Sequence, residues 1–166
     1  QPIHGKGVRV IWLKGETDML GALEEVESFG EFAKRNNAVA STEVKSFEHL
    51  ICTEQLSRRL GFKVGEELIR VVRVRSLNGN ARQVDHGYFL ESIAKGLTPE
   101  IAAKSIYDYL EHKRGVKVMA SRRTVSVELA NDEDCSYLDL GKYNCVAVME
   151  SQSYTSDGIL FEVTHA

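Results

Sequence analysis

The sequence predicts an antiparallel α+β domain, and three observations carry that expectation. Strand-like segments come in neighbouring pairs, tight-turn signals join the members of each pair, and helix-start signals fall between the pairs. With 166 residues, of which 43% are hydrophobic and 27% charged, the chain is long enough to bury one core.

In residues 1–10, Gly5 and Gly7 stand around a lysine between short apolar runs, the pattern of a hairpin turn. Residues 11–26 mix apolar and acidic positions without a strong period and read as a connecting segment. Ser28-Phe29-Gly30-Glu31 supplies a capping serine with an acidic residue three positions on, which predicts a short helix over 28–36. Residues 38–48 alternate as a strand does. Thr53 then opens a helix whose Leu56 and Leu60 share one face, and Gly61 closes it.

The clearest strand runs from Glu67 to Leu77, where β-branched residues dominate, and Asn78-Gly79 turns it into a second strand over 81–89. Thr98-Pro99-Glu100 starts a helix with a capping threonine and a first-turn proline. Apolar residues at 101, 102, 106, 107 and 110 keep helical spacing as far as Gly115. The segment 116–129 is rich in valine and alternates polar with apolar, and Asn131 to Leu138 reads as a short helix. Residues 143–154 and 158–165 form a further hairpin around Ser156-Asp157-Gly158.

Charge and cysteine usage narrow the function classes. The 21 basic against 24 acidic residues lack the excess that gripping a phosphate backbone requires, so direct nucleic-acid binding by these residues is not expected. Cys52, Cys135 and Cys145 are odd in number and widely spaced, as reduced cytosolic cysteines are. No stretch approaches the ~18 apolar residues of a membrane span, and the N-terminus lacks the apolar core of a signal peptide, which predicts a soluble cytoplasmic protein. The histidines at 4, 49, 86, 112 and 165 form no metal-ligand spacing. Without a nucleophile–base pair or a phosphate-cradling glycine loop either, no metal, cofactor or catalysis is expected.

Arg73 and Arg75 lie two apart on one strand, so the pleat turns both guanidiniums to one face while Val72 and Val74 take the other. Paired arginine forks match phosphate or carboxylate oxygens; the same spacing also suits an exposed face with ordinary ion pairs. Ser105-Ile106-Tyr107-Asp108 offers a capping box inside the helical stretch, where free backbone N–H groups and a hydroxyl suit an anion. One continuous helix with Ser105 on its surface is the alternative. Asp85 and Glu162 stand amid apolar neighbours on their strands, either as acceptors for sugar hydroxyls in a pocket or as solvated or paired carboxylates.

Taken in order, Ser28-Phe29, Leu60-Gly61 with Gly65, Arg73-Val74-Arg75 with Asn78-Gly79, Ser105-Ile106-Tyr107 and Phe161-Glu162 resemble the effector-binding (UTRA) domain of GntR-type transcriptional regulators of the HutC subfamily. The resemblance covers roughly residues 22–166. Ser105-Ile106-Tyr107-Asp108-Tyr109-Leu110-Glu111, Asp132-Glu133-Asp134 before Leu138-Asp139-Leu140, and Leu160-Phe161 before Thr164 are most similar to the trehalose-operon repressors of that family. It implies a chorismate-lyase-like α+β fold, a central antiparallel sheet flanked by helices. Residues 1–10 would then end a winged-helix wing, 11–26 form the linker and 27–166 the effector-binding domain.

The same resemblance implies a homodimeric repressor that meets its operator through a winged-helix domain and senses a phosphorylated sugar, trehalose 6-phosphate. The phosphate is carried onto Ser28, Phe29, Gly30, Arg73, Arg75 and Ser105, and the sugar onto Asp85, Tyr107 and Glu162. Position 85 is aspartate where related regulators often carry glutamate, one methylene longer. The family pattern usually continues past residue 166 into a strand bearing another pocket residue, so the pocket is not expected to be complete within these residues. An amino-sugar phosphate or other small acid is the alternative effector. A chorismate-lyase-like enzyme is the alternative of a different class, since that enzyme shares the fold and binds an anionic ring with arginines.

Overall fold

The computed structural model describes Pro2–Ile3, Gly7–Val8 and residues 29–166. Strand β1 (Pro2–Ile3) pairs antiparallel with β2 (Gly7–Val8), as the glycines around Lys6 predict. The connecting segment 11–26 and the proposed cap Ser28 lie outside the described residues.

Six strands form the central sheet: β3 (Ala40–Ile51), β4 (Glu67–Leu77), β5 (Asn80–Leu90), β6 (Val118–Leu129), β7 (Cys145–Thr155) and β8 (Leu160–His165). Their order is β3-β4-β5-β8-β7-β6, and every neighbouring pair is antiparallel. Two three-stranded meanders are thus zipped together by β5 and β8, where Gly87 faces Thr164 and Phe89 faces Glu162. The expected α+β class with a central antiparallel sheet is the one observed.

Local chemistry explains most of the boundaries. Asn78 and Gly79 adopt φ of 51° and 81°, the two left-handed residues that a two-residue hairpin matched to strand twist demands. The Asn78 side chain also accepts the Val39 N–H at 2.8 Å. Helix α1 covers Phe29–Arg35, and α2 (Glu54–Leu60) is capped by Thr53 and closed by Gly61 at φ 89°. The first long strand starts at Ala40 and ends at Ile51, three residues past the expected end. A bulge between Val44 and Ser46 interrupts its alternation, while the ladder with β4 carries on to Ile51.

The stretch after Thr98 is two helices, α3 (Pro99–Ala102) and α4 (Ile106–Arg114), which settles the alternatives for Ser105. Ser105 is the N-cap of α4, with φ −115° and ψ 111°, and its hydroxyl accepts the Asp108 N–H at 3.1 Å. Helix α5 (Asp132–Tyr137) starts with a complete capping box between Asn131 and Asp134.

Burial divides the sheet by parity. Val71, Phe89 and Phe161 belong to a buried cluster with Ala102, Ile106 and Leu110, so α3 and α4 cover that face. Val72, Val74 and Val84 cluster with Tyr137 and Leu138 on the other. Burying a side chain such as Phe89 or Leu110, both fully enclosed, stabilises the fold by about 1.5–3 kcal/mol. On the α3–α4 face the apolar cluster gives way to polar residues one step along the strands, at Arg73 and Asp85, and the candidate site lies there.

Candidate functional site

A cavity of about 470 Å³ opens on this face, within the range of small-molecule sites. Its floor is the sheet, and its walls are α1 and the segment from Ala103 to Tyr107. Of the nine residues singled out from the sequence, Phe29, Gly30, Arg73, Arg75, Asp85, Ser105, Tyr107 and Glu162 all line it; Ser28 is not described. They come from two helices and three strands.

Two buried polar groups dominate the site. In the first, Arg73 and Arg75 project from β4 on one face, and Asp85 stands directly across from Arg73 on β5. The Nη2 of each arginine donates to the same Asp85 oxygen, Oδ2, at 2.6 Å, and Gln83 donates to Oδ1 at 3.1 Å. The side chains are 4%, 14% and 2% exposed for Arg73, Arg75 and Asp85, so the three form a buried ion-paired group and not an exposed strand face. Burial opposes ionisation of Asp85, but Arg75 and Arg73 outweigh it and hold the carboxyl at a pKa of about 2. Burial also lowers the pKa of Arg73, against the pull of Asp85.

The guanidiniums are not saturated. Arg73 reaches the Ala102 carbonyl at 3.4 Å, yet the Nε of Arg73 and of Arg75 are buried without a hydrogen-bond partner. Arg75 also lies over the Phe29 ring at 5.1 Å, a cation–π contact that ties α1 to the sheet.

The second group is Tyr107, Glu162 and Ser153. The Tyr107 hydroxyl donates to Glu162 Oε2 and lies 3.1 Å from Ser153 Oγ. Glu162 is buried beside Ser153 on the neighbouring strand, and burial raises its pKa above the usual carboxylate range although both hydroxyls favour the charged form. Burial, reinforced by Glu162, likewise raises the Tyr107 phenol.

Several lining residues escaped the sequence reading. Gln83 and Arg123 share the cavity with Ser121, Ser151 and Thr164. Gln83 could have been found from its parity with Asp85. Arg123 could not, because only the β6–β7 pairing brings it over the site, opposite Ser151. Among the described residues no group of three or more histidine, cysteine or carboxylate side chains could hold a metal.

Residues 35–166 match the UTRA domain. The chain belongs to the UTRA domain family.

This UTRA domain is similar to the HTH-type transcriptional regulator TreR of Bacillus subtilis, with 28% identity over 166 residues, covering 100% of this chain and 68% of TreR. It is also similar to the HTH-type transcriptional repressor NagR of the same organism, 22% identical over 160 residues, covering 96% of this chain and 64% of NagR. The solved effector-binding domain of the B. subtilis trehalose repressor superposes with a TM-score of 0.68 at 28% identity, covering 75% of this chain and 87% of that one. The regulator YydK of B. subtilis shares the fold at a TM-score of 0.76 and 23% identity, covering 99% of this UTRA domain and 69% of YydK.

The chain is therefore a UTRA effector-binding domain of a GntR-type transcriptional regulator related to TreR. No helix among the described residues is long and apolar enough to cross a membrane.

Proposed function

We propose that this UTRA domain is the effector-binding and dimerisation part of a repressor of a sugar-utilisation operon. Its effector is a phosphorylated sugar, trehalose 6-phosphate, and binding releases the repressor from operator DNA held by a winged-helix domain. One observation carries the reading: two buried arginines share a single carboxylate oxygen in a cavity of about 470 Å³ and keep buried, unpartnered Nε atoms.

Two guanidiniums against the one Asp85 carboxylate leave one positive charge in that group. A phosphate is the group that such forks take up in a bidentate way. Arg73, Arg75, the Ser105 hydroxyl and the first backbone N–H groups of α4 would hold it, with Phe29 and Gly30 beside them in the cavity wall; the family resemblance adds Ser28. Asp85, Tyr107 and Glu162 would face the sugar hydroxyls. The relation to TreR, a trehalose repressor by name, favours the disaccharide phosphate.

The mechanism is linkage. An effector that binds one arrangement of the domain better than another shifts the spacing of the DNA-binding heads, and a coupling of about 1–3 kcal/mol suffices to change operator occupancy roughly 5- to 150-fold. The contact of Arg75 with Phe29 joins the cavity to α1, the helix that follows the connecting segment in sequence. Replacing Ser28-Phe29-Gly30 in a full-length regulator should weaken induction and leave DNA binding intact.

Calorimetry tests the assignment, using trehalose 6-phosphate with glucose 6-phosphate, glucosamine 6-phosphate and free trehalose as comparators. Saturable binding of trehalose 6-phosphate, lost in Arg73→Ala and weak for the free sugar, is the expected outcome. A different phosphate bound through Arg73 would keep the site and change the effector. Turnover of chorismate would replace the regulator reading with an enzyme.

A further inference from the structure

We propose that a second cleft, on the face of the sheet opposite the effector cavity, binds a phosphate-sized oxyanion between Arg59 and Arg122. The site is separate from the effector reading and does not depend on it.

The strand register builds the cleft. Tyr88 and Arg122 stand in one row across β5, β8, β7 and β6, and His86, His165 and Glu150 stand in the next. Residues paired directly across strands share a face, and His86 pairs with Val72, so these rows lie across the sheet from Arg73 and Asp85. The last turn of α2 sets Arg59 over the Tyr88 ring at 5.7 Å and forms the remaining wall. The two cavities share only Ser151 and Thr164, which belong to the strands between them. At about 160 Å³ the cleft is smaller than the roughly 300–1,000 Å³ of drug-sized sites, so it takes a small ion or the phosphate end of a larger molecule.

Its electrostatics call for an anion. The lining carries two guanidiniums and one carboxylate, Glu150, and so one net positive charge before either imidazole is protonated. Neither Arg59 nor Arg122 is paired with a carboxylate among the described residues. The two imidazoles lie 6.4 Å apart, His86 Nε2 3.4 Å from the exposed Glu133 and His165 Nδ1 3.4 Å from the exposed Glu150. Burial lowers the pKa of His86, and Arg70 and His165 press the same way against Glu133 and Asp85. Tyr88 is 6% exposed and lines the cleft, yet its hydroxyl has no hydrogen-bond partner among the described residues. Guanidinium forks with a phenol O–H and two imidazole N–H groups are the donor set that oxyanion oxygens accept from.

Magnetic resonance of the imidazole signals, with inorganic phosphate as the probe, tests the site. Phosphate should bind saturably, move the His86 and His165 signals and raise the pH at which His86 protonates, since an adjacent anion favours the charged form. The response should survive Arg73→Ala, which removes an arginine of the effector cavity. It should weaken roughly tenfold or more when Arg59→Gln and Arg122→Gln are combined, through the loss of charge-assisted hydrogen bonds. Both replaced side chains are exposed, so thermal melts of that variant should match the parent. Glycerol 3-phosphate separates the sources: tighter binding than phosphate assigns the cleft to a phosphomonoester and weaker binding to the free ion, and both uphold it. A response lost in Arg73→Ala, or unchanged in the double arginine variant, overturns the site, as does the absence of saturable binding below about 10 mM.

Discussion

Asp85→Asn keeps the shape of the side chain and removes the charge that Arg73 and Arg75 share. Arg73, 4% exposed, would keep the Ala102 carbonyl at 3.4 Å and a neutral amide oxygen where the carboxylate stood, while Arg75, 14% exposed, has some freedom to turn toward solvent. Breaking a buried pair by removing one partner costs about 3–5 kcal/mol, and the mobility of Arg75 places the expectation near the lower end. The titration of Asp85 answers a separate question. A fall from 3.8 to about 2 corresponds to roughly 2 kcal/mol of native-state preference for the charged form. Because the folded pKa is the lower one, that stability is present above 3.8 and is lost as the pH falls through about 2. Urea unfolding followed by circular dichroism would measure both, comparing the two proteins so that other titrating carboxyls cancel. At pH 7 the variant should be less stable by about 3 kcal/mol, and the gap should narrow by about 2 kcal/mol between roughly pH 5 and pH 2. A gap below about 1 kcal/mol at neutral pH, or one that does not change on acidification, would refute the reasoning.

Glu162→Gln should act in the opposite sense. The raised pKa means that the native state holds this proton more tightly than the unfolded chain does, so the carboxyl costs stability as the pH rises above its ordinary 4.5. Glutamine can still accept from Tyr107, and the variant should gain on the parent in urea midpoints as the pH rises above 4.5; a flat difference would contradict a raised Glu162 pKa. Ser105→Ala should lose about 1 kcal/mol with the α4 cap and also weaken the effector isotherm, whereas Thr98→Ala should cost similar stability and leave binding unchanged. Gly87→Ala would place a Cβ 2.7 Å from the enclosed Phe89 ring, so a loss of about 1–3 kcal/mol should appear in thermal melts, and an unchanged Tm would show that the ring has room to move.

The parts of this site that were legible in the sequence depend on near neighbours. Arg73 and Arg75 share a face because residues two apart on any strand do, and Thr53, Thr98 and Asn131 announce their helices by capping chemistry that involves only the next three residues. Ser105 was ambiguous for the same reason. Its neighbours suit a cap and a mid-helix position alike, and the break between α3 and α4 is seen only in the fold, where Ala102, Ile106 and Leu110 settle in the buried cluster with Val71 and Phe89. Tyr107 and Glu162 meet across 55 positions of chain, and no local pattern encodes that approach.

The sequence by itself determined the antiparallel α+β class, both long hairpins, most helix starts and the shared face of Arg73 and Arg75, because these follow from alternation, turn residues and side-chain chemistry. Tertiary structure decided which charges neutralise one another. A ladder counted straight back from Leu77 and Asn80 would set Arg73 against Val84; the irregularity between Arg75 and Ser76 shifts the register by one and brings Asp85 there. A one-residue slip exchanges the faces of a strand, so that single irregularity places the carboxylate over the arginines and inside the cavity.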